Sequence, residues 1–223
     1  GLWVPLPPGP NGYVLTSQGE GLPPTWKPSA GGTSSFAPPN PATFPFWFNR
    51  QDATLEQSPH GPLVLTRPPV STAQVVTLAA RPIGEPPREY MAAIRAVLND
   101  HTGAAAGLFL YDDSTDRAVN CYLRWDSTAN TWSISADRWN SLTSYANAIA
   151  RKITPLIGHV FLRIVDDGNT ISLYYSIEQT SWTLLGSTPR TEWLSAITHI
   201  GIGLSSAGTE TTASQMAVLH WEE

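Results

Sequence analysis

Apolar and polar residues alternate in short runs along most of the chain after position 45. Segments 46–48, 63–66, 74–80, 89–98, 107–111 and 118–125 are rich in β-branched and aromatic residues. The series continues with 131–136, 160–165, 170–177, 182–186, 197–205 and 215–221. Turn residues separate them, and short strands at regular spacing predict an all-β sandwich or barrel. Two hairpins are well specified. Asp166-Asp167-Gly168-Asn169 joins two apolar runs, and its glycine supplies a positive φ at little cost. Trp125 and Trp132 flank the polar stretch 126–130, and a symmetric register makes them a cross-strand pair. The run 142–153 reads two ways, because its Ala, Arg and Lys favour helix while an irregular strand fits equally well. No period of about 20–50 residues repeats, which excludes a solenoid or a propeller.

The first 45 residues follow a different rule. Eleven of the twenty prolines precede Phe46, and Glu20 and Lys27 are the only charged side chains in residues 1–46. Proline removes amide donors and clashes with the preceding turn, so a long helix is excluded. Extended, polyproline-like chain with tight turns is predicted instead. Such a chain cannot bury Trp3, Tyr13, Leu15, Leu22, Trp26 and Phe36 against itself. They are expected to lie on a globular domain, on other copies of the chain, or on a larger assembly. The organisation read from the sequence is therefore an extended Pro/Gly-rich arm over residues 1–45 and a β-sandwich domain over 46–223.

Composition narrows the function classes. Charged residues are 14% of the 223, against roughly 25% in ordinary soluble domains, while nine Trp are present. A disordered chain lacks such aromatic content. The net charge of −5 argues against a nucleic-acid binder, which needs clustered Lys and Arg. The longest apolar runs fall well short of the ~20 residues of a membrane span, so no membrane insertion is expected. The start, Gly1-Leu2-Trp3-Val4-Pro5, carries neither a basic leader nor Met, from which a processed or truncated chain is expected. The single cysteine, Cys121, excludes an intrachain disulfide and a thiolate metal site. Its apolar surroundings read as those of a small buried side chain. The five histidines are scattered, so neither a metal nor a cofactor is expected.

Two stretches carry a family resemblance. Residues 7–26, with Gly12-Tyr13-Val14-Leu15-Thr16-Ser17-Gln18-Gly19 followed by Pro23-Pro24-Thr25-Trp26, resemble an element of bacteriophage tail-fibre and other virion structural proteins. That resemblance implies an attachment and oligomerisation piece, commonly trimeric, with Trp3, Tyr13, Leu15, Leu22 and Trp26 as its apolar anchors. The second stretch is Phe161-Leu162-Arg163-Ile164-Val165-Asp166-Asp167-Gly168-Asn169-Thr170-Ile171, with Tyr175-Ser176 and Ser181-Trp182 beyond it. It is similar to concanavalin A-like (laminin G-like) jelly rolls, a likeness that extends over most of residues 45–223. The family's Asp-Gly turn is Glu178-Gln179 here, which predicts a longer hairpin. This superfold serves lectins, glycosidases and inert spacers, so it does not fix the function.

The sequence offers residues for three kinds of chemistry. A retaining glycosidase needs two carboxylates about 5–5.5 Å apart. The Glu-x-Asp-x-x-Glu strand that jelly-roll glycosidases carry has no counterpart, and no enzymatic activity is expected. Asp112-Asp113-Ser114-Thr115-Asp116 offers the hard oxygens that Ca²⁺ prefers, but without EF-hand-like spacing it reads as a turn capped by its own side chains. Glycan recognition needs an aromatic plane with Asn, Asp or Arg beside it. Asp137-Arg138-Trp139-Asn140 with Tyr145 and Asn147 supplies those types within one loop-like stretch, with Trp139, Asn140, Tyr145 and Asn147 as the candidate glycan-binding residues. The function expected from these readings is a virion structural protein: a fibre, spike or capsid decoration. Its arm would dock on other virion proteins and on copies of itself, as a homotrimer by resemblance. Its head would project from the extracellular particle, either to adhere to host surface polysaccharide or simply to reinforce the particle. A free carbohydrate-binding module or lectin is the alternative, with a glycan depolymerase behind it.

Overall fold

The computed structural model describes residues 38–59, 61–71, 74–98, 103–126, 130–153 and 158–223, with the backbone of 13–16 and 25–28. The chain divides into two compact units, Gly1–Phe36 and Ala37–Glu223. In the first, β1 (Tyr13–Thr16) pairs antiparallel with β2 (Thr25–Pro28), setting Leu15 opposite Trp26. Trp3, Leu22 and Phe36, and the side chains of Tyr13, Leu15 and Trp26, lie outside the described residues. In the second unit Phe44 is fully buried, its ring edge-on to Trp221 at 4.9 Å, so the chain just before Phe46 packs with the sandwich.

The second unit is a concanavalin A-like jelly roll of two seven-stranded antiparallel sheets. Its strands are β3 (Phe46–Phe48), β4 (Thr54–Gln57), β5 (Leu63–Arg67), β6 (Val75–Pro82) and β7 (Arg88–Val97). They continue with β8 (Ala105–Asp112), β9 (Arg117–Asp126), β10 (Thr131–Ser141), β11 (Ser144–Ile153) and β12 (Val160–Asp166). The last four are β13 (Thr170–Ser176), β14 (Thr183–Pro189), β15 (His199–Ser206) and β16 (Ser214–Glu222), with a single helical turn α1 (Arg190–Trp193) between β14 and β15. One sheet runs β11-β10-β9-β8-β15-β6-β3 and the other β14-β13-β12-β7-β16-β5-β4.

Period-two alternation explains the core. In β8, Ala106, Leu108 and Leu110 point between the sheets, as do Val119, Cys121 and Leu123 of β9. They meet Ala92 and Ile94 of β7 and Leu162 and Ile164 of β12, all fully buried. Cys121 sits in this core, where burial pushes its thiol pKa up. The β12–β13 turn is built as its sequence predicts. Gly168 takes φ +94°, Asp166 accepts from the Gly168 N–H at 3.0 Å, and Asp167 accepts from the Asn169 and Thr170 N–H groups. Trp125 and Trp132 are register partners with ring centroids 5.2 Å apart. The ambiguous run 142–153 resolves as β11, an irregular edge strand whose pairing with β10 shifts register three times. Its amide groups find partners on β10, and that outweighs the few tenths of a kcal/mol by which Ala and Lys favour helix. Among the described residues no helix is long and apolar enough to cross a membrane.

Candidate functional site: a cleft on the outer face of one sheet

The sheet containing β8, β9 and β10 is unusual in being apolar on both faces. Its outward side carries a second core, in which Val76, Leu78, Phe109, Tyr122, Trp139 and Leu142 are buried. An isolated flat sheet would leave this face wet. Here the turn between β10 and β11 crosses back over it. The Val76 N–H donates to the Leu142 carbonyl at 2.7 Å, and the Tyr145 N–H donates to Gln74 Oε1 at 2.9 Å. In strand order β10 and β6 are separated by β9, β8 and β15, so these bonds close the sheet upon itself. The register shifts in β10–β11 supply the bend, since bulges increase local twist. Gly107 in β8 permits tight strand approach, because a Cβ there would overlap the Cys121 carbonyl oxygen.

Beside this closure lies a cleft of about 130 Å³, lined by Tyr122, Trp139 and Tyr145 and by Arg124, Asp137, Arg151 and Gln74. Gly103 and Ala207 complete the wall. Strand register places the polar groups: Asn120, Tyr122 and Arg124 alternate outward on β9, opposite Asp137, Ser135 and Ser133 on β10. Asp137 is 1% exposed. Its Oδ2 accepts from the Tyr122 hydroxyl, and its backbone N–H donates to Asn120 Oδ1 at 3.1 Å. Arg151 Nε donates to Ser135 Oγ at 3.0 Å. Trp139 and Tyr145 meet edge to face at 5.6 Å.

The electrostatics follow from burial. Desolvation raises the Asp137 pKa, opposed by the Tyr122 hydrogen bond and by the charges of Arg151 and Arg124. Burial, then the nearby Asp137 charge, raises both Tyr122 and Tyr145. Among the described residues, Asp137 Oδ1, Arg124 Nη1 and Trp139 Nε1 are buried without a hydrogen-bond partner. A buried polar group left unpaired costs about 1–3 kcal/mol. One acceptor and two donors in that state around one cleft form a set ready to be satisfied from outside.

Two of the residues singled out from sequence, Trp139 and Tyr145, meet in this cleft. Trp139 is only 3% exposed, so it offers the cleft an edge and an N–H rather than an open plane. Asn140 and Asn147 are exposed and do not line the cleft; Asn140 Nδ2 donates to the Tyr145 carbonyl at 3.5 Å. Asp137, at the head of the same stretch, also lines the cleft, whereas Tyr122, Arg124 and Arg151 lie outside the residues read from the sequence. A signal for them exists: Asn120-x-Tyr122-x-Arg124 and Ser135-x-Asp137-x-Trp139 each put polar and aromatic groups on one strand face, opposite an apolar one.

The acidic loop 112–116 is committed to the protein itself. Asp112 is fully buried and accepts from Ser114, from the Ser195 N–H and hydroxyl, and from the Ala196 N–H. Burial works against its charge, but these bonds prevail and hold its pKa well below the usual carboxylate range. Asp116 accepts from the Tyr111 hydroxyl at 2.8 Å. Among the described residues no three His, Cys, Asp or Glu side chains gather as metal ligands would.

Comparison with known proteins places the fold. No protein-family profile and no curated sequence matches the chain. Among solved structures it is similar to a functionally unknown protein from Saccharomyces cerevisiae, with TM-score 0.59 and 12% identity, covering 82% of this chain and 97% of that one. It is also similar to xylan beta-1,4-xylosidase from Bacillus halodurans C-125, with TM-score 0.52, 13% identity and 79% of this chain covered. A variant of the GH43 protein BlXynB from Bacillus licheniformis gives TM-score 0.51 and 17% identity over 78% of this chain. The match spans only 39% and 38% of those two longer chains. These likenesses establish the sandwich fold.

Proposed function

We propose that the chain is a non-catalytic glycan-binding β-sandwich carried on an N-terminal attachment arm. The reading rests on one observation. Asp137 Oδ1, Arg124 Nη1 and Trp139 Nε1 are buried, each without a partner, on residues that line one cleft together with Tyr122 and Tyr145. A sugar ring answers that set, since its hydroxyls both donate and accept while its C–H face packs on an aromatic ring. The cleft is well under the roughly 300–1,000 Å³ of pockets for drug-sized ligands, which suits a single ring at a chain end. Asp137 is the only carboxylate lining it among the described residues, whereas glycoside hydrolysis by the usual route takes two.

The finer reading is a virion structural protein, in which the arm docks and oligomerises and the head meets host polysaccharide. Its support is the word order of residues 7–26 and their scarcity of charge. Tyr145 is partly exposed at the cleft, so Tyr145→Ala removes one aromatic wall while leaving Trp139 in place. Calorimetry or a glycan array with the full chain is expected to show sugar binding that this variant weakens about tenfold, the scale of one aromatic anchor. Absence of binding to any glycan at millimolar concentration rejects the reading.

A further inference from the structure

The charges around the cleft specify more than a sugar. Arg124 and Arg151 both line it, and Asp137 is the sole acidic side chain among the described lining residues. One formal positive charge therefore remains in the cleft of a protein whose net charge is −5. The two guanidinium groups are not equally engaged. Arg151 Nε is held by Ser135 Oγ, while Arg124 Nη1 is buried without a partner. A guanidinium presents a planar fork of donors matched to a carboxylate, and charge-assisted bonds of that kind are about twice as strong as neutral ones. Asp137 is suited to the opposite task. Its Oδ2 is taken by Tyr122, and Oδ1 is left as an acceptor for a hydroxyl.

We infer that the cleft selects an acidic sugar, a pyranose carrying a carboxylate, as in a uronic acid at the end of a polysaccharide. The ligand's carboxylate pairs with Arg124 and Arg151, a ring hydroxyl donates to Asp137 Oδ1, and Tyr145 packs against the ring. A neutral hexose satisfies Asp137 but leaves Arg124 Nη1 without a charged partner. This inference rests on the glycan-binding reading, and the following experiment separates the two.

Binding of the full chain is measured by calorimetry to the methyl glycosides of glucuronic and galacturonic acid, each beside its neutral counterpart, glucose or galactose. At least one acid is expected to bind about tenfold more tightly than its neutral partner, and its affinity falls as NaCl rises from about 0.05 to about 0.5 M. Arg151 is exposed, so Arg151→Gln tests the charge without disturbing the core, and it lowers acid affinity severalfold and narrows the gap between each acid and its neutral partner. Arg124→Gln does the same more strongly, with Arg151→Gln as the control where the buried change perturbs folding. Neutral sugars binding as tightly as the acids overturn this inference and leave the glycan reading standing. Binding of none of the four overturns this inference, and absence of binding on the glycan array as well overturns both.

Discussion

Asp137 has two consequences that oppose each other. A carboxyl whose pKa is raised by burial is protonated more readily in the folded chain than in the unfolded one, where it titrates near 4. The folded state then binds the extra proton, so this group's contribution is most favourable at low pH and declines as pH rises through the folded value. Above the folded value a charge sits buried with Oδ1 unpaired, and the molecule is less stable for it. Asp137→Asn keeps the shape and an acceptor for Tyr122 but carries no charge. Urea melts at neutral pH should find it more stable than the parent by about 1 kcal/mol, the usual scale of a functional residue's cost to the fold. The advantage should shrink toward pH 4, while sugar affinity falls at all pH values. A variant less stable than the parent at neutral pH would show that Asp137 is structural. Gln179 makes a related local point. It holds φ +67° at the position where the resembling family has glycine, and the Ser176 hydroxyl accepts from the Glu178 and Gln179 N–H groups, so a hydroxyl anchors the longer hairpin.

Between elements, the site exists because one sheet is bent. β10 and β11 fold back to β6 only if the strands between them approach closely. Gly107 lies at the centre of that sheet, opposite Tyr122, the residue that holds Asp137. Gly107→Ala forces a Cβ into the Cys121 carbonyl and the Tyr122 backbone, and it should cost about 1–3 kcal/mol in denaturant unfolding, as overpacked sites do. Because Tyr122 must shift, sugar binding should weaken even at temperatures where the variant is fully folded; unchanged affinity would mean that the bend does not set the site. The same geometry explains what was legible in the sequence. Local rules sufficed for Asp166-Asp167-Gly168-Asn169 and for the Trp125–Trp132 pair, where turn chemistry and alternation act over a few residues. They did not suffice for β11, because its strand state is decided by the amides of β10, nor for β4, whose 54–57 segment lacks a strong apolar stripe. Arg124, Asp137 and Arg151 stand on the consecutive strands β9, β10 and β11, but Gln74 is far away in sequence and only the fold-back of the sheet brings it to them. Trp139 and Tyr145 could be read because they face each other across one hairpin.

At the scale of the whole chain the two units obey different physics. Residues 37–223 have a continuous core between two sheets, large enough to stand alone. In the first unit the described residues form one pair of four-residue strands, and an isolated two-stranded ribbon is marginal in water. The prolines of residues 1–36 forbid a helix, and their few charges leave several large apolar side chains without an obvious solvent role. On the proposed reading, association through this segment, with copies of itself or with a larger particle, would resolve the conflict. Deleting residues 1–36 should therefore leave a protein with the same cooperative unfolding and the same sugar affinity, but reduce an oligomer to a monomer. Light scattering on the full and shortened chains decides it, and calorimetry on the shortened chain reports whether the cleft is intact. If the shortened chain keeps the oligomeric state of the full one, the arm is not the assembly device. If it loses sugar binding as well, the two units are coupled and the head does not work by itself.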